Sequence, residues 1–216
     1  PATEALNDLA LLVRSRYALI HLETAEEARA EALLRQLGDR LQLPLFVWRR
    51  VKGLRRDGTT GPIYGTEDLR GALAHVECAR FPALYCFHDV DADLASAELV
   101  SLLRAAIMPY ESMAGAVVLR GANLELPESL RPQSAVVQLP APSPDEYRVL
   151  IDSIHRDVSL RQQVENALTP DEFSQLVNNL RGLSLTEAGK LLTKAMVEDG
   201  KLSAADIALV VQAKKE

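Results

Sequence analysis

Strand-like and helix-like segments alternate through the first two-thirds of the chain. Five short runs are rich in aliphatic and aromatic residues and have the length of buried strands: YALIHLE (17–23), PLFVWRR (44–50), PALYCFH (82–88), GAVVLRG (115–121) and SAVVQLP (134–140). Between them, near residues 25–42, 66–79 and 94–107, apolar residues recur three and four positions apart, as in amphipathic helices. This alternation predicts an α/β fold, a three-layer αβα sandwich with a five-stranded parallel sheet.

After Pro140 the pattern is helical throughout. Three helix starts have a hydroxyl residue followed three positions later by glutamate, which is the pattern of a capping box. They are Ser143 with Glu146, Thr169 with Glu172, and Ser184 with Glu187. A weaker start of the same kind pairs Ser203 with Asp206. The sequence therefore predicts two domains, an α/β core over residues 1–140 and an all-α bundle over residues 141–216.

The turn between the first strand and the following helix, ETAEEA (23–28), limits what the fold can bind. A phosphate-binding loop needs glycines and a lysine, and the pattern GxxxxGK[ST] occurs nowhere in the sequence. Thr24 and Glu27 have capping-box spacing, so we expect the first N–H groups of the helix to be satisfied internally. Glu23, Glu26 and Glu27 would also repel a phosphate. We therefore expect no nucleotide-binding loop, no catalytic residue and no cofactor for this chain.

The third strand runs into FHDVDAD (87–93). An acidic residue at a strand end, here Asp89, is typical of the element that positions magnesium in nucleotide hydrolases, but Val90 stands where the water-polarising glutamate would follow. The spacing of Asp89, Asp91 and Asp93 is that of a calcium loop, but the glycine and the closing glutamate of such a loop are missing. We expect Asp91 or Asp93 to cap the next helix.

Composition limits the compartment and the partners. The formal net charge of −6 argues against a dedicated duplex-DNA-binding protein. No apolar run approaches the roughly 18 residues needed to span a bilayer, and the first residues lack a signal-peptide pattern, so we expect a cytoplasmic protein without membrane contact. Cys78 and Cys86 lack metal-ligand spacing and are interpreted as reduced structural residues. No motif indicates acyl-transfer chemistry.

The most basic stretch, RRVKGLRRDGTTGPIYG (49–65), is predicted to be a long exposed loop after the second strand. Its candidate residues for contact with a partner are Arg49, Arg50, Lys52, Arg55, Arg56 and Tyr64. A protein partner is the main hypothesis, and a nucleic-acid-binding accessory that uses residues 49–56 is an alternative.

The second half of the chain resembles the AAA+ ATPase superfamily. The segments VVLRGANLELPESLRP (117–132) and VVQLPAPSPDEYRVLI (136–151) have the layout between the fourth strand and the helical lid of that family. Asn123 matches the sensor asparagine, Pro127 and Leu130 match a P-x-x-L segment, and residues 140–146 match the start of the lid. Residues 182–211 are similar to the closing helices of the lid.

RYALIHLET, LPLFVW and GLSLTEA are more specifically similar to the degenerate N-terminal module of two-module AAA+ proteins of the chloroplast hypothetical-reading-frame (Ycf) type. The resemblance implies a P-loop NTPase-like sheet in the strand order 5-1-4-3-2. It also implies a non-catalytic module for assembly, regulation or partner contact, as the N-terminal part or a relative of a larger AAA+ ATPase.

Under this resemblance, ATP and magnesium belong to a second module, and Tyr64 is similar to the aromatic residue that faces the pore of AAA+ rings. The implied strand order places another strand between His21 and His88, so we expect no metal site. The enzymatic alternative is an atypical nucleotide site around Asp89 and Asn123.

Overall fold

The computed structural model describes residues 2–215, which form two compact units. The first unit extends from Ala2 to Pro140 and the second begins at Ala141. Among the described residues, none of the helices has both the length and the apolar character needed to cross a bilayer.

The first unit is a six-stranded sheet between two layers of helices. Its strands are β1 (Leu19–Glu23), β2 (Leu45–Arg49), β3 (Gly53–Arg56), β4 (Ala83–His88), β5 (Gly115–Gly121) and β6 (Ser134–Gln138). Its α-helices are α1 (Ala2–Arg14), α2 (Glu27–Leu41), α3 (Leu69–Ala79) and α4 (Ala97–Ile107). Short 3₁₀ turns lie at Ala92–Ala95, Met108–Glu111 and Glu128–Gln133. Helix α1 was not among the predicted helices.

The strand order is β3-β2-β4-β5-β1-β6, and β3 is antiparallel to β2. The prediction of a five-stranded parallel sheet is therefore wrong in strand number and in direction, and the predicted order lacks β3. The missing strand comes from the stretch predicted as an exposed loop. Leu54 is fully buried and pairs in register with Trp48, so this apolar residue holds the stretch against the edge of the sheet.

The two faces of the sheet carry different helices. Ile20, Leu22 and Val118 pack with α1 and α2 on one face, whereas Leu19 and Phe87 pack with α3 and α4 on the other. Neighbouring residues of a strand point to opposite faces, so strands that are buried on both sides read as continuous apolar runs. The carboxyl ends of the five parallel strands lie together at one end of the sheet. This end is called the carboxyl edge below.

The second unit consists of α5 (Pro144–Ser159), α6 (Pro170–Leu180), α7 (Leu185–Asp199) and α8 (Ala204–Ala213). It also contains a parallel pair of two-residue strands, β7 (Glu165–Asn166) and β8 (Lys201–Leu202), so the prediction of an all-α unit is corrected.

The three predicted capping boxes of the second unit are confirmed. At α5, the Ser143 hydroxyl accepts from the Glu146 backbone N–H at 3.3 Å, and the Glu146 carboxylate accepts from the Ser143 backbone N–H at 2.8 Å. The same reciprocal pair begins α6 and α7. At α8, the Asp206 carboxylate accepts from the Ser203 backbone N–H at 2.7 Å.

Candidate functional site

The turn between β1 and α2 contains only residues 24–26 and lies at the carboxyl edge. The Thr24 hydroxyl accepts from the backbone N–H of Glu26 at 3.0 Å. Glu26, not Thr24, is the residue that precedes the first turn of α2, and its side chain makes no capping bond. The predicted Thr24–Glu27 capping box is therefore wrong. The Thr24 hydroxyl accepts from the residue two positions later and not three, and the Glu27 carboxylate pairs with arginines and not with the Thr24 backbone N–H.

Glu27 and Glu31 project from successive turns of α2 toward arginines of the sheet. Arg49, at the end of β2, donates from Nε to Glu27 at 2.5 Å and also forms an ion pair with Glu31. Glu27 lies 3.7 Å from a guanidinium nitrogen of Arg120, a residue of β5. The Glu31 carboxylate also lies 2.9 Å from Nε2 of His88, the last residue of β4.

Arg120 connects the remaining members of the site. Its side chain is only 5% exposed, and the sheet register places it directly beside His88. It donates from Nε to His88 Nδ1 at 2.8 Å and from a terminal nitrogen to the Asp89 carboxylate at 2.7 Å. Asp89 follows β4 with a positive φ of 56°. The side chains joined in this way are named the edge cluster; they are Glu27, Glu31, Arg49, His88, Asp89 and Arg120.

The hydrogen bonds determine the tautomer of His88. A guanidinium N–H donates and never accepts, so Nδ1 of His88 must hold a lone pair and the ring proton lies on Nε2, facing Glu31. Burial lowers the pKa of His88, which favours the neutral ring. Burial of Glu27 acts to raise its pKa. The hydrogen bond from Arg49, the charge that His88 carries when protonated, and the charges of Arg49 and Arg120 together outweigh burial and lower it.

Burial acts to lower the pKa of Arg49, but its bond to Glu27 and the charges of Glu27 and Glu31 raise it above the usual value. The edge cluster therefore contains three carboxylates, two guanidiniums and a neutral imidazole, which are linked through hydrogen bonds and ion pairs.

Glu27, Glu31 and His88 have one geometric property of a metal site, because one ligand atom from each lies within 4.8 Å of the others. The bonding does not fit a cation. His88 Nε2 carries a proton while Arg120 occupies Nδ1, and the carboxylates are bound to guanidiniums that would repel a positive ion. We therefore interpret the three residues as members of an ion-pair network, not as metal ligands.

His21 is not part of the edge cluster. Its Nε2 lies 2.9 Å from the carbonyl oxygen of Gly121, and β5 separates its strand from that of His88. Asn123 is exposed and its side chain makes none of the bonds of the cluster. The structure thus brings Asp89 into the site but leaves Asn123 outside it.

The predicted helix cap at Asp91 or Asp93 is wrong. Helix α4 begins after Ser96, whose hydroxyl accepts from the Leu99 backbone N–H at 3.3 Å. A 3₁₀ turn separates Asp91 from α4, and Asp93 forms an ion pair with Arg50 instead.

The basic stretch is more ordered than predicted. Arg49 belongs to the edge cluster, and the Arg50 guanidinium lies 5.4 Å from the centre of the Trp48 ring. Trp48 Nε1 donates to the Thr66 carbonyl at 2.8 Å, which holds residues 63–67 against the hairpin formed by β2 and β3. Among the predicted contact residues, Lys52 and Arg56 are exposed, Arg55 is partly buried, and Tyr64 is 98% exposed. Of the two cysteines, Cys86 is buried and Cys78 is exposed.

Sequence reasoning missed Arg120, Glu31 and the role of His88. One available signal is an arginine inside the apolar strand GAVVLRG, because a buried arginine requires a partner. A second signal is the four-residue spacing of Glu27 and Glu31, which places both carboxylates on one helix face.

Comparison with known proteins identifies the family. Residues 5–139 match the profile of the SpoVK-like AAA ATPase N-terminal domain, and residues 145–216 match that of the second domain. Two proteins named "Uncharacterized AAA domain-containing protein ycf46" are similar to the chain. The protein from Trieres chinensis is 22% identical over 213 residues and the one from Pyropia yezoensis is 24% identical over 216 residues. Each alignment covers 97% of this chain but only 41% and 42%, respectively, of the relative.

Solved structures with the same fold include C. elegans PCH-2, with a TM-score of 0.61 and 11% identity over 99% of this chain and 67% of that chain. A chain of the E. coli MS115-1 HORMA:CdnC:Trip13 complex has a TM-score of 0.59 and 12% identity, covering 97% and 87%. The RuvB Holliday junction branch migration motor of Thermotoga maritima has a TM-score of 0.57 and 12% identity, covering 98% and 68%. The resemblance to AAA+ proteins is confirmed, and because the two profiles extend over nearly all of the sequence, the chain belongs to the SpoVK-like AAA ATPase family.

Proposed function

We propose that this chain is a non-catalytic AAA+-like module that serves assembly, regulation or partner contact beside an ATP-hydrolysing module. The observation that carries the proposal is which residues lie at the carboxyl edge between β1 and α2. A turn of three residues, 24–26, stands where a phosphate-binding loop would have to wrap around an anion, and the edge cluster occupies the adjacent space.

Charge supports the proposal. A phosphate-binding loop attracts its ligand with converging backbone N–H groups and a lysine. Here the cations at the edge, Arg49 and Arg120, are already bound to Glu27, Glu31 and Asp89. A triphosphate would have to break these ion pairs and would bring several negative charges next to three carboxylates. We therefore expect nucleotide affinity to be negligible.

The test is a calorimetric titration of the purified chain with magnesium-ATP and then magnesium-ADP, with an ATP-binding AAA+ module as the positive control. We expect no saturable heat at high micromolar nucleotide. Saturable binding at micromolar concentration would overturn the proposal. If turnover also appeared, Asp89→Asn would decide whether the atypical site is responsible, because only a site built on Asp89 would lose activity.

The proposed contact surface uses the exposed part of the basic stretch. Lys52, Arg56 and Tyr64 are open to solvent, whereas Arg49 and Arg50 hold the fold through Glu27, Glu31 and Asp93. Few basic side chains of the stretch are therefore available to contact the phosphates of a nucleic acid. We expect no binding of labelled single-stranded or duplex DNA by anisotropy. Binding that weakens steeply with salt, and further in the Arg55→Ala, Arg56→Ala double variant, would favour the nucleic-acid alternative.

The relatives suggest where the catalytic function lies. This chain spans about two-fifths of the length of the curated relatives that it matches. We propose that ATP and magnesium act in an AAA+ module outside the region aligned here, in the same polypeptide or in a partner, and that the present units contact that module.

A further inference from the structure

The ring of His88 has one hydrogen-bond acceptor and one donor as neighbours. Its Nε2 faces the Glu31 carboxylate at 2.9 Å, which accepts a hydrogen bond from the ring N–H. Its Nδ1 faces the Arg120 Nε–H at 2.8 Å, which donates a hydrogen bond to the ring. Only the neutral tautomer with its proton on Nε2 satisfies both contacts. A second proton on Nδ1 would place two donors against each other at hydrogen-bond distance.

All elements packed against the ring contribute titratable or charged groups. They are Glu27 and Glu31 of α2, Arg49 of β2, Arg120 of β5, Asp89 after β4, and the Cys86 thiol of β4, whose Sγ lies 3.7 Å from Nε2. Arg35 of α2 also pairs with the second Glu31 carboxylate oxygen at 3.2 Å, so the three carboxylates of the cluster face three guanidiniums. Burial opposes a second ring proton, and among the contacts of the ring the hydrogen bond from Arg120 opposes it directly.

We propose that His88 is a proton-operated switch: protonation at Nδ1 breaks the Arg120–His88 bond, keeps the His88–Glu31 pair, and releases the Arg120 side chain toward Glu27 and Asp89. The movement is available because Arg120 already lies 3.7 Å from Glu27 and 2.7 Å from Asp89. The switch changes the contacts between β4, β5 and α2 without requiring a ligand, and it does not depend on the proposed function.

The direction of the pH dependence follows from burial. Burial lowers the pKa of His88 below its ordinary value of 6.5, so the folded protein binds fewer protons than the unfolded chain between the two pKa values. The free energy of unfolding therefore decreases as pH falls from about 6.5 through the folded-state pKa of His88.

The test is a pH titration of the isotope-labelled full chain by NMR, which follows the ring nitrogens of His88 and the Nε–H of Arg120. We expect a neutral ring protonated at Nε2 near pH 7.5, and an Arg120 signal that changes with the same midpoint as His88. A charged ring at pH 7.5, the opposite tautomer, or an Arg120 signal that does not respond while His88 titrates would overturn the proposal.

Two variants separate the switch from general acid effects. Arg120→Met removes the opposing donor and should increase the proton affinity of His88 about tenfold, which is one pKa unit. The matched control Arg70→Met removes an exposed arginine that pairs with Glu98 and should leave the His88 titration unchanged. His88→Gln should abolish the pH response of Arg120, whereas His75→Gln on α3 should preserve it. An Arg120 response that persists in His88→Gln would also contradict the switch.

Discussion

Replacing Arg120 with methionine should destabilise the α/β unit by about 2–3 kcal/mol. The arginine side chain is 5% exposed, and methionine approximates its length without charge or donors. The substitution leaves three side chains without this partner, Glu27, His88 and Asp89, and removes a long 3.5 Å hydrogen bond to the Thr24 carbonyl oxygen. The cost depends on how exposed each of the three side chains is.

The three partners contribute unequally. Asp89 has a side chain that is 68% exposed, so water replaces the guanidinium and the loss is at most about 1 kcal/mol. Glu27 is 38% exposed and keeps Arg49, so its contact at 3.7 Å adds little. His88 is 2% exposed and its Nδ1 loses its donor, which costs about 1–3 kcal/mol for an unsatisfied buried acceptor. The total expected cost is lower than for breaking a fully buried ion pair, because the Glu27 and Asp89 carboxylates reach solvent.

The assay is urea unfolding at pH 7.5 followed by the fluorescence of Trp48. This is the only tryptophan in the sequence, and it is fully buried in the α/β unit, so its signal reports on that unit. Arg70→Met is the control, because both members of its pair are about 60% exposed and its loss should cost less than about 0.5 kcal/mol. If Arg120→Met were no more destabilising than Arg70→Met, the edge cluster would not be a stabilising network and the energetic argument would fail.

Three further predictions test other parts of the structure. Gly115→Ala should cost more than about 2 kcal/mol, because Gly115 has a φ of 132° and a Cβ would lie 2.2 Å from the Ala83 carbonyl oxygen. Gly58→Ala also places an alanine at a positive φ, 79°, but no atom of the described residues lies within 4 Å of its Cβ, so it should cost much less in the same Trp48 assay. Ser143→Ala should destabilise the second unit by about 1 kcal/mol in calorimetric unfolding, and Ser143→Thr should restore most of the loss. Excess zinc should leave the unfolding temperature unchanged, since His88 Nε2 carries a proton; an increase of several degrees that is abolished by His88→Gln would refute the assignment of the edge cluster as an ion-pair network.

The layers of the first unit were predictable because burial on both faces imposes an apolar run on each central strand. Ile20 and Leu19 illustrate this, since one packs under α2 and the other under α3 and α4. Strand β3 was not predictable in the same way, because only Leu54 in the sequence GLRR is apolar. That strand forms through its pairing with β2, which is a tertiary effect with no local periodicity.

The candidate site was likewise predictable only where the relevant residues are adjacent in the sequence. The absence of the pattern GxxxxGK[ST] is a local property that can be read from the sequence. The edge cluster joins residues that are distant in sequence, such as Glu31 and His88, and its assembly depends on which strand ends become neighbours. The wrong capping prediction at Thr24 has the same origin, because the spacing to Glu27 was correct for a cap but the arginines of β2 and β5 compete for that carboxylate.

Under the proposed function, the edge cluster explains how this end of the sheet keeps its shape without a nucleotide. Burying charges adds little stability compared with packed apolar residues, so the network is not an efficient way to stabilise a core. Its members instead fix geometry, because Arg120 bonds simultaneously to groups from α2, β4 and the turn after β4. A nucleotide at this edge would join the same elements but would exchange and be hydrolysed. The side chains of the edge cluster join these elements permanently and hold the module in one conformation at neutral pH. Under the proposed function, a constitutive assembly or contact module requires this property.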